Sequence, residues 1–340
     1  MSRASTSPNV LAVRFSSIGD ILLITPLLRA IRRAHPGARI TVLTKREYVP
    51  LLSHNPHLHR VLGLAPGRSL FSMATELRGD RYTHLLDLHD SLRTRALQIL
   101  VPGPWRSYPK HRLARAWLIR AKRNRYRDRR PVAERYFAAA RDLAVKPDGG
   151  PPEFFLGREA DDQVAEWLTS VGLEHESRIL AVAPGAAHAT KRWPLEHWRA
   201  LVDHAVMDGF AVAVVGGPGD AELGASLAAG SSGRVASAAG GFGLQATGAL
   251  LRRVRALVSG DTGVMHMATG VGAPVVALFG PTVEAFGFFP YSAKAAVVEL
   301  PLPCRPCSAQ GSARCPLGHH RCLIDIQPSV VYDALRSRLA

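Results

Sequence analysis

Residues 259–266 read Ser-Gly-Asp-Thr-Gly-Val-Met-His: two glycines, an aspartate, a threonine and a histidine in one turn between apolar runs. Glycine lets a turn bring bare backbone N–H groups close to a ligand, and a helix opening near Val264 adds the positive end of its dipole. Such a turn suits an anion. Three more small-residue turns follow apolar runs in the same way: "APGAAHATKRWP" at 183–194 with Lys191 and Arg192, "VVGGPGDAE" at 214–222 ending on Glu222, and "FGPT" at 279–282. If the preceding runs are strands of one parallel sheet, all these turns leave it at the same edge. One glycine turn is weak evidence for phosphate binding; several in phase are strong. A dinucleotide fingerprint would need G-x-G-x-x-G directly after a strand. "SSIGD" at 16–20 has one glycine, and "GGPGDAELG" lacks the third at the required spacing, which argues against a nicotinamide or flavin enzyme.

Positioning these turns falls to an alternation of strand and helix signals. "NVLAVRF", "ARITVLT", "HRVLGL" and "THLLDLH" read as buried strands. Between them "ILLITPLLRAIRRAHPG" and "MATELRGDRY" read as helices and "EYVPLLSHNPHL" as helix and turn. From about Arg93 to Ala144 the pattern is helical and basic. The Pro/Gly-rich stretch "VKPDGGPPEFFLG" at 145–157 marks a boundary, giving domains at 1–150 and 151–340. Beyond it, strands "RILAVAPG", "FAVAVVGG", "RALVSG" and "APVVALFG" alternate with helices such as "EADDQVAEWLTSVGL", "LEHWRALVDHAVMDG" and "DAELGASLAAG". Strands alternating with helices imply βαβ units, so the expected fold class is α/β: two Rossmann-like doubly wound domains, with ligands at the carboxyl ends of the strands.

Hydrophobic residues at 47% and charged residues at 21% of 340 are ordinary for a soluble globular protein. No apolar run approaches the ~20 residues that span a bilayer. The opening "MSRASTSPNV" lacks the apolar region of a signal peptide, so a cytoplasmic location is expected. The net charge of +16 is uneven: between Arg106 and Arg130 eleven Lys or Arg residues face a single Asp. That exceeds what solubility requires and points to an anionic partner, whether phospholipid headgroups, a phosphorylated glycolipid or nucleic acid. Trp105, Tyr108, Trp117 and Tyr126 are interleaved with the charges, which suits a membrane interface as well as it suits nucleic acid.

"SSIGDILLITPLLRAIRRAHPGARITVLT", "PGAAHATKRWP" and "SGDTGVMHMATGVGAPVVALFGPT", in this order and spacing, resemble glycosyltransferase family 9, the ADP-heptose:lipopolysaccharide heptosyltransferases, with "AKRWP"-like features most similar to the heptosyltransferase II branch. The resemblance implies a GT-B fold, two domains facing across a cleft, with the nucleotide-sugar donor on the C-terminal domain and the acceptor on the N-terminal one. It also implies inverting transfer without a catalytic metal or other cofactor. Transfer of that kind needs a base for the acceptor hydroxyl and positive groups for the departing diphosphate. Asp20 matches the family's catalytic aspartate; as a residue type it equally suits a helix N-cap. Lys191 matches the family's phosphate-side lysine, and Arg192 beside it shares the task. Gly260, Thr262 and Gly263 are placed to lend backbone N–H groups, Asp261 to hold the sugar or orient the loop, and Glu222 to meet ribose hydroxyls. His266 is either within reach of the phosphates or a packing residue. The implied partners are an ADP-sugar donor, a phosphorylated lipid A-core acceptor and the anionic inner face of the inner membrane, which Arg112, Arg115, Lys122 and Arg123 of the basic run would contact from the acceptor domain.

All four cysteines, Cys304, Cys307, Cys315 and Cys322, lie in "CRPCSAQGSARCPLGHHRC". This clustering suits a structural Zn²⁺ or iron site, with His319 or His320 able to replace one ligand; reduced, unliganded thiols are the other reading. The segment follows the donor motifs and is not expected to do chemistry. A nucleic-acid-binding protein built on the basic run and a metal finger would explain the charge and the cysteines. It leaves "SSIGD", "TKRWP" and "SGDTGVMH" without a role and lacks a recognition-helix or aromatic RNA motif, so no nucleic acid is expected. A transferase of the same fold with another nucleotide sugar or acceptor remains open, because the residues that select the sugar are scattered in loops.

Overall fold

Strands β1 (Asn9–Val13), β2 (Arg39–Lys45), β3 (Arg60–Leu64), β4 (His84–Asp87) and β5 (Trp105–Ser107) form one sheet in the order β3-β2-β1-β4-β5, every pair parallel. The computed structural model describes residues 7–229 and 233–339. By its contacts the chain divides into two compact units, Met1–Lys110 with Val132–Phe155, and His111–Pro131 with Leu156–Ala340. Central β1 is apolar and almost wholly buried because a parallel sheet is covered on both faces. On one face Leu11, Val13, Phe15, Leu43 and Leu85 pack with Met73 and Leu77 of helix Leu70–Gly79 and Leu97 of helix Leu92–Leu100.

The single helix expected over 21–37 is two, Ile18–Leu22 and Thr25–Ala34. Pro26 is the reason: it lacks an N–H and its ring would meet the carbonyl four residues back, so it is tolerated only in the first turn of a new helix. Buried Arg29 then ties that helix to the end of the unit. Its Nε and Nη2 each donate to Asp148 at 2.7 Å, and Nη1 donates to Pro151 O at 2.9 Å and lies 3.2 Å from Glu153.

The second unit holds β6 (Ile179–Ala183), β7 (Ala211–Val214), β8 (Val235–Ser237), β9 (Ala256–Gly260), β10 (Val275–Phe279) and β11 (Ala295–Glu299), in the order β11-β10-β9-β6-β7-β8 and again parallel throughout. β6, β9 and β10 are buried at every position. Helices Leu195–Met207 and Pro328–Leu339 cover one face, with Trp198, Leu201, Val202, Val331 and Leu335 against Leu180, Val212, Val258 and Val276. The helix expected at 220–230 is found as Ala221–Ala228, its last expected residue lying outside the described ones, as do residues 1–6 of the N-terminal reading. β5, β8 and β11 have no counterpart in the sequence reading: two are three residues long, too short to show a period, and all three are sheet edges.

The basic segment differs from expectation in its allegiance. It was assigned to the first domain, yet His111–Pro131 groups with the second unit, because Leu118 and Tyr126 bury against Phe286. Two of the four cations assigned to the acceptor or membrane are spent in that packing: Arg115 stacks over the Phe286 ring at 5.4 Å, and Lys122 Nζ donates to Pro306 O at 2.6 Å. Arg112 and Arg123 are exposed.

Trp198, 1% exposed and edge-on to Trp193 at 5.0 Å, is the largest fully buried side chain. Trp198→Ala is expected to cost about 3–5 kcal/mol through lost burial and an unfilled cavity. Urea unfolding measures this, and a loss under about 1 kcal/mol would contradict its place in the core.

Candidate functional site

In each sheet the strand order reverses once, between β1 and β4 in the first and between β6 and β9 in the second. At such a point the loops leaving the two central strands diverge to opposite faces and open a crevice at the carboxyl edge. Asp20 follows β1, Lys191 follows β6 and Asp261 follows β9, so these three candidates stand at reversal points.

In the first unit, Arg14 Nη2 lies 2.6 Å from Asp20 Oδ1. Asp20 Oδ2 accepts from Ser17 N–H at 3.3 Å and from Ser17 Oγ at 3.0 Å, and the Tyr136 hydroxyl approaches Oδ1 at 3.4 Å. The N-cap of the short helix is thus Ser17, and Asp20 closes a capping box from the third helical position. Arg14 is itself buried and held by the carbonyls of Leu88 (2.6 Å) and Ser16 (2.7 Å). Burial pushes the Asp20 carboxyl up, but the Arg14 charge and the Ser17 hydrogen bonds outweigh it, and the net shift is downward. Burial disfavours the Arg14 charge, and Asp20 beside it more than restores it. Burial raises the Tyr136 phenol well above its usual value, so it stays protonated, and burial with the charges of Arg14 and Lys110 pushes His89 down to about 4. Asp20 is therefore a fixed carboxylate, 17% exposed, among neutral rings and one cation. Sequence reading missed Arg14. Its signal was there: an arginine inside an apolar strand run must find an anion.

The same unit contains a cavity of about 450 Å³ at the carboxyl ends of β2 and β3, lined by Lys45, Arg46, Arg68 and Arg93 with Glu47 the one carboxylate. Lys45 pairs with Glu47 at 3.3 Å, and Arg68 with Glu76 at 2.9 Å.

In the second unit Lys191 Nζ reaches Asp261 Oδ2 at 2.6 Å and Asp261 O at 3.1 Å. Thr282 Oγ1 donates to the same Oδ2 at 2.7 Å, and Ser259 Oγ and Thr262 Oγ1 are 3.1 Å apart. The turns after β6, β9 and β10 thus converge. Gly260 is required for this approach, since a Cβ there would lie 3.0 Å from the Lys191 carbonyl. Gly185 serves likewise after β6, where a Cβ would overlap the Asp220 carboxylate at 2.0 Å. Thr262 is the N-cap of helix Gly263–Gly270, so Gly263 supplies one of its first free amides. Arg192 is exposed and donates to Ala186 O at 2.9 Å. Glu222 is exposed in the first turn of the helix after β7. His266 lies a turn inside its helix and is 4% exposed, in keeping with the packing reading.

The cysteine segment does something sequence reading did not foresee. Arg305 donates to the carbonyls of Gly280 (2.5 Å), Thr282 (2.8 Å) and Leu300, and Cys307 N–H to Pro281 O (3.1 Å), so "FGPT" is held from behind. Thr190 and Ser312 exchange backbone and hydroxyl hydrogen bonds at 2.8–3.1 Å, and a ring nitrogen of His320 is 3.0 Å from Thr190 O. The segment therefore braces the loop of Lys191 and the loop of Thr282, the partner of Asp261. Among the described residues no group of three or more His, Cys, Asp or Glu side chains is placed to hold a metal ion. No disulfide links the four cysteines; burial and the neighbouring thiols raise the Cys307 thiol and push Cys322 up to about 11.

Two doubly wound parallel sheets, each with candidate residues at its reversal point, define the GT-B fold. The chain matches glycosyltransferase family 9 (heptosyltransferase) over residues 70–317 and belongs to that family. It is 29% identical to lipopolysaccharide heptosyltransferase 2 of Salmonella typhimurium, over 97% of this chain and 98% of that one. Among solved structures it resembles E. coli ADP-heptose lps heptosyltransferase II with a TM-score of 0.75 at 24% identity, covering 97% and 98% of the two chains. E. coli heptosyltransferase WaaC with ADP-2-deoxy-2-fluoro heptose gives 0.69 at 19% identity, covering 97% and 99%.

Arg14→Met leaves the Asp20 carboxylate buried without its counter-charge and is expected to cost about 3–5 kcal/mol at neutral pH. Because the folded Asp20 carboxyl sits below its ordinary 3.8, the pair's contribution is complete above that pH and lost as pH falls through the folded value. The stability gap between parent and variant, read by denaturant titration, should shrink on acidification; a gap constant down to pH ~3 would refute the pairing. Arg305→Ala strands three loop carbonyls and is expected to cost roughly 2–3 kcal/mol by the same measurement.

Proposed function

We propose that this glycosyltransferase moves heptose from ADP-heptose to a phosphorylated lipid A-core acceptor of lipopolysaccharide, inverting the sugar carbon. The observation that carries the reading is the Lys191–Asp261–Thr282 constellation, at 2.6 and 2.7 Å, beside the helix opening at Gly263. It is one cation and a set of backbone donors at a sheet reversal point, the chemistry a diphosphate needs. The fluoro-heptose nucleotide in WaaC and the names of the relatives supply the donor.

In this reading the acceptor oxygen forms a bond to the sugar's anomeric carbon as the bond to the diphosphate oxygen breaks, and the hydroxyl proton passes to Asp20. Arg14 keeps Asp20 ionised at neutral pH, ready to accept, and Tyr136 and Ser17 hold its orientation. ADP departs carrying the negative charge. Lys191, with Arg192 and the amides at 260–263, neutralises it, and Asp261 passes Lys191 from itself to the phosphate while keeping Thr282. Glu222 is placed for ribose hydroxyls. The cation-lined cavity of the first unit favours an acceptor bearing anionic groups. Among the described residues no helix is long and apolar enough to cross a membrane, and Arg112 and Arg123 support peripheral attachment to the cytoplasmic face of the inner membrane.

A panel of ADP-heptose, UDP-sugars and GDP-sugars with a lipid A-core acceptor tests the reading. Turnover is expected with ADP-heptose, with kcat lowered about 10²–10⁴-fold by Asp20→Ala and about 10²–10³-fold by Lys191→Ala. Equal kcat/KM for a UDP- or GDP-sugar would overturn the donor, and full activity of a folded Asp20→Ala would overturn the base.

A further inference from the structure

Helix Arg112–Ala121 turns two large apolar side chains to solvent, Leu113 at 88% exposure and Trp117 at 48%. Four residues apart, they share one face. The core does not need that face: Ala114, Leu118 and Ile119 pack toward Phe286 and Phe288, and Arg115 stacks on Phe286. Arg112 and Arg120 on the same helix and Arg123, Arg125 and Arg127 just beyond it are exposed, with the Arg125 guanidinium 5.5 Å over the Trp117 ring. Single exposed apolar residues are unremarkable; an apolar pair in a cation-rich segment, on a helix braced from behind, is a recognition surface.

We propose that this helix docks flat on an anionic lipid bilayer, with Leu113 and Trp117 inserted at the boundary of headgroups and acyl chains and the arginines on lipid phosphates. Charge complementarity selects this occupant. A second copy would present the same positive face, and a nucleic acid would satisfy the arginines while leaving Leu113 in water. Trp117 suits the boundary because its ring is apolar and its N–H is not. The surface belongs to the second unit, and it gives peripheral attachment an apolar component that counting charges does not predict. The inference rests on the membrane attachment read above, and its vesicle-binding test uses no sugar substrate, so a failed donor panel leaves it standing.

The experiment is co-sedimentation of the full chain with vesicles of phosphatidylcholine alone or mixed equally with phosphatidylglycerol, at low and high salt. The parent is expected to bind the mixed vesicles. L113A/W117A should bind them about tenfold more weakly at both salt levels, whereas R120Q/R123Q/R127Q should lose binding chiefly at low salt, where charge attraction is least screened. Transfer to a deacylated, water-soluble acceptor should be unchanged in L113A/W117A, which separates docking from catalysis. The proposal is overturned if L113A/W117A binds like the parent, or if neutral and mixed vesicles bind equally. It is also overturned if the double substitution weakens duplex DNA binding or self-association as much as it weakens vesicle binding.

Discussion

Parallel strands all end at the same edge, and where their order reverses the two central strands send their loops apart. The candidate site residues of this protein are arranged around that constraint. The order β3-β2-β1-β4-β5 reverses at β1, which leads to Asp20; the order β11-β10-β9-β6-β7-β8 reverses at β6 and β9, which lead to Lys191 and Asp261. Neither sheet needs side-chain recognition to create its crevice. The loops need only small residues where they crowd, as at Gly185 and Gly260, and polar ones where they end.

At both reversal points a carboxylate is held by one cation, and the two pairs are built for different duties. Arg14 is buried beneath Asp20 and tied to two carbonyls, so it cannot swing away; it fixes charge and direction on the carboxylate. Lys191 stands on a short turn with a flexible stem, partly open, and a lysine can trade one anion for another at small cost. A rigid arginine under the group proposed as base and a movable lysine under the group proposed to meet phosphate are consistent with one another.

The cysteine segment holds the backbone of the loops beside that second pair. Arg305 draws "FGPT" against its own loop, and Ser312 and His320 clasp Thr190, the neighbour of Lys191. Buried backbone carbonyls demand donors, and a guanidinium with several of them satisfies a whole turn at once. A loop carrying a functional lysine can thus be exposed on one side and braced on the other.

Apolar periodicity and glycine spacing determined the α/β class, the strands at the centre of each sheet and the turns that follow them, because buried parallel strands are continuous apolar runs and turns at their ends need small residues. Asp20, Lys191 and Asp261 lie in those turns, and it was the resemblance to glycosyltransferase family 9 that singled them out as candidates. Edge strands β5 and β8 were not, since three residues carry no period and half their neighbours are solvent. Pro26 split a helix whose apolar spacing looked continuous. Tertiary structure alone decided that Arg14 lies under Asp20, that Thr282 meets Asp261 with Arg305 on the Thr282 carbonyl, and that the basic helix packs with the second unit. Each depends on which distant segments meet, and local composition is blind to that: a guanidinium or a thiol reads the same in the sequence whatever anion, carbonyl or ring the fold brings to it.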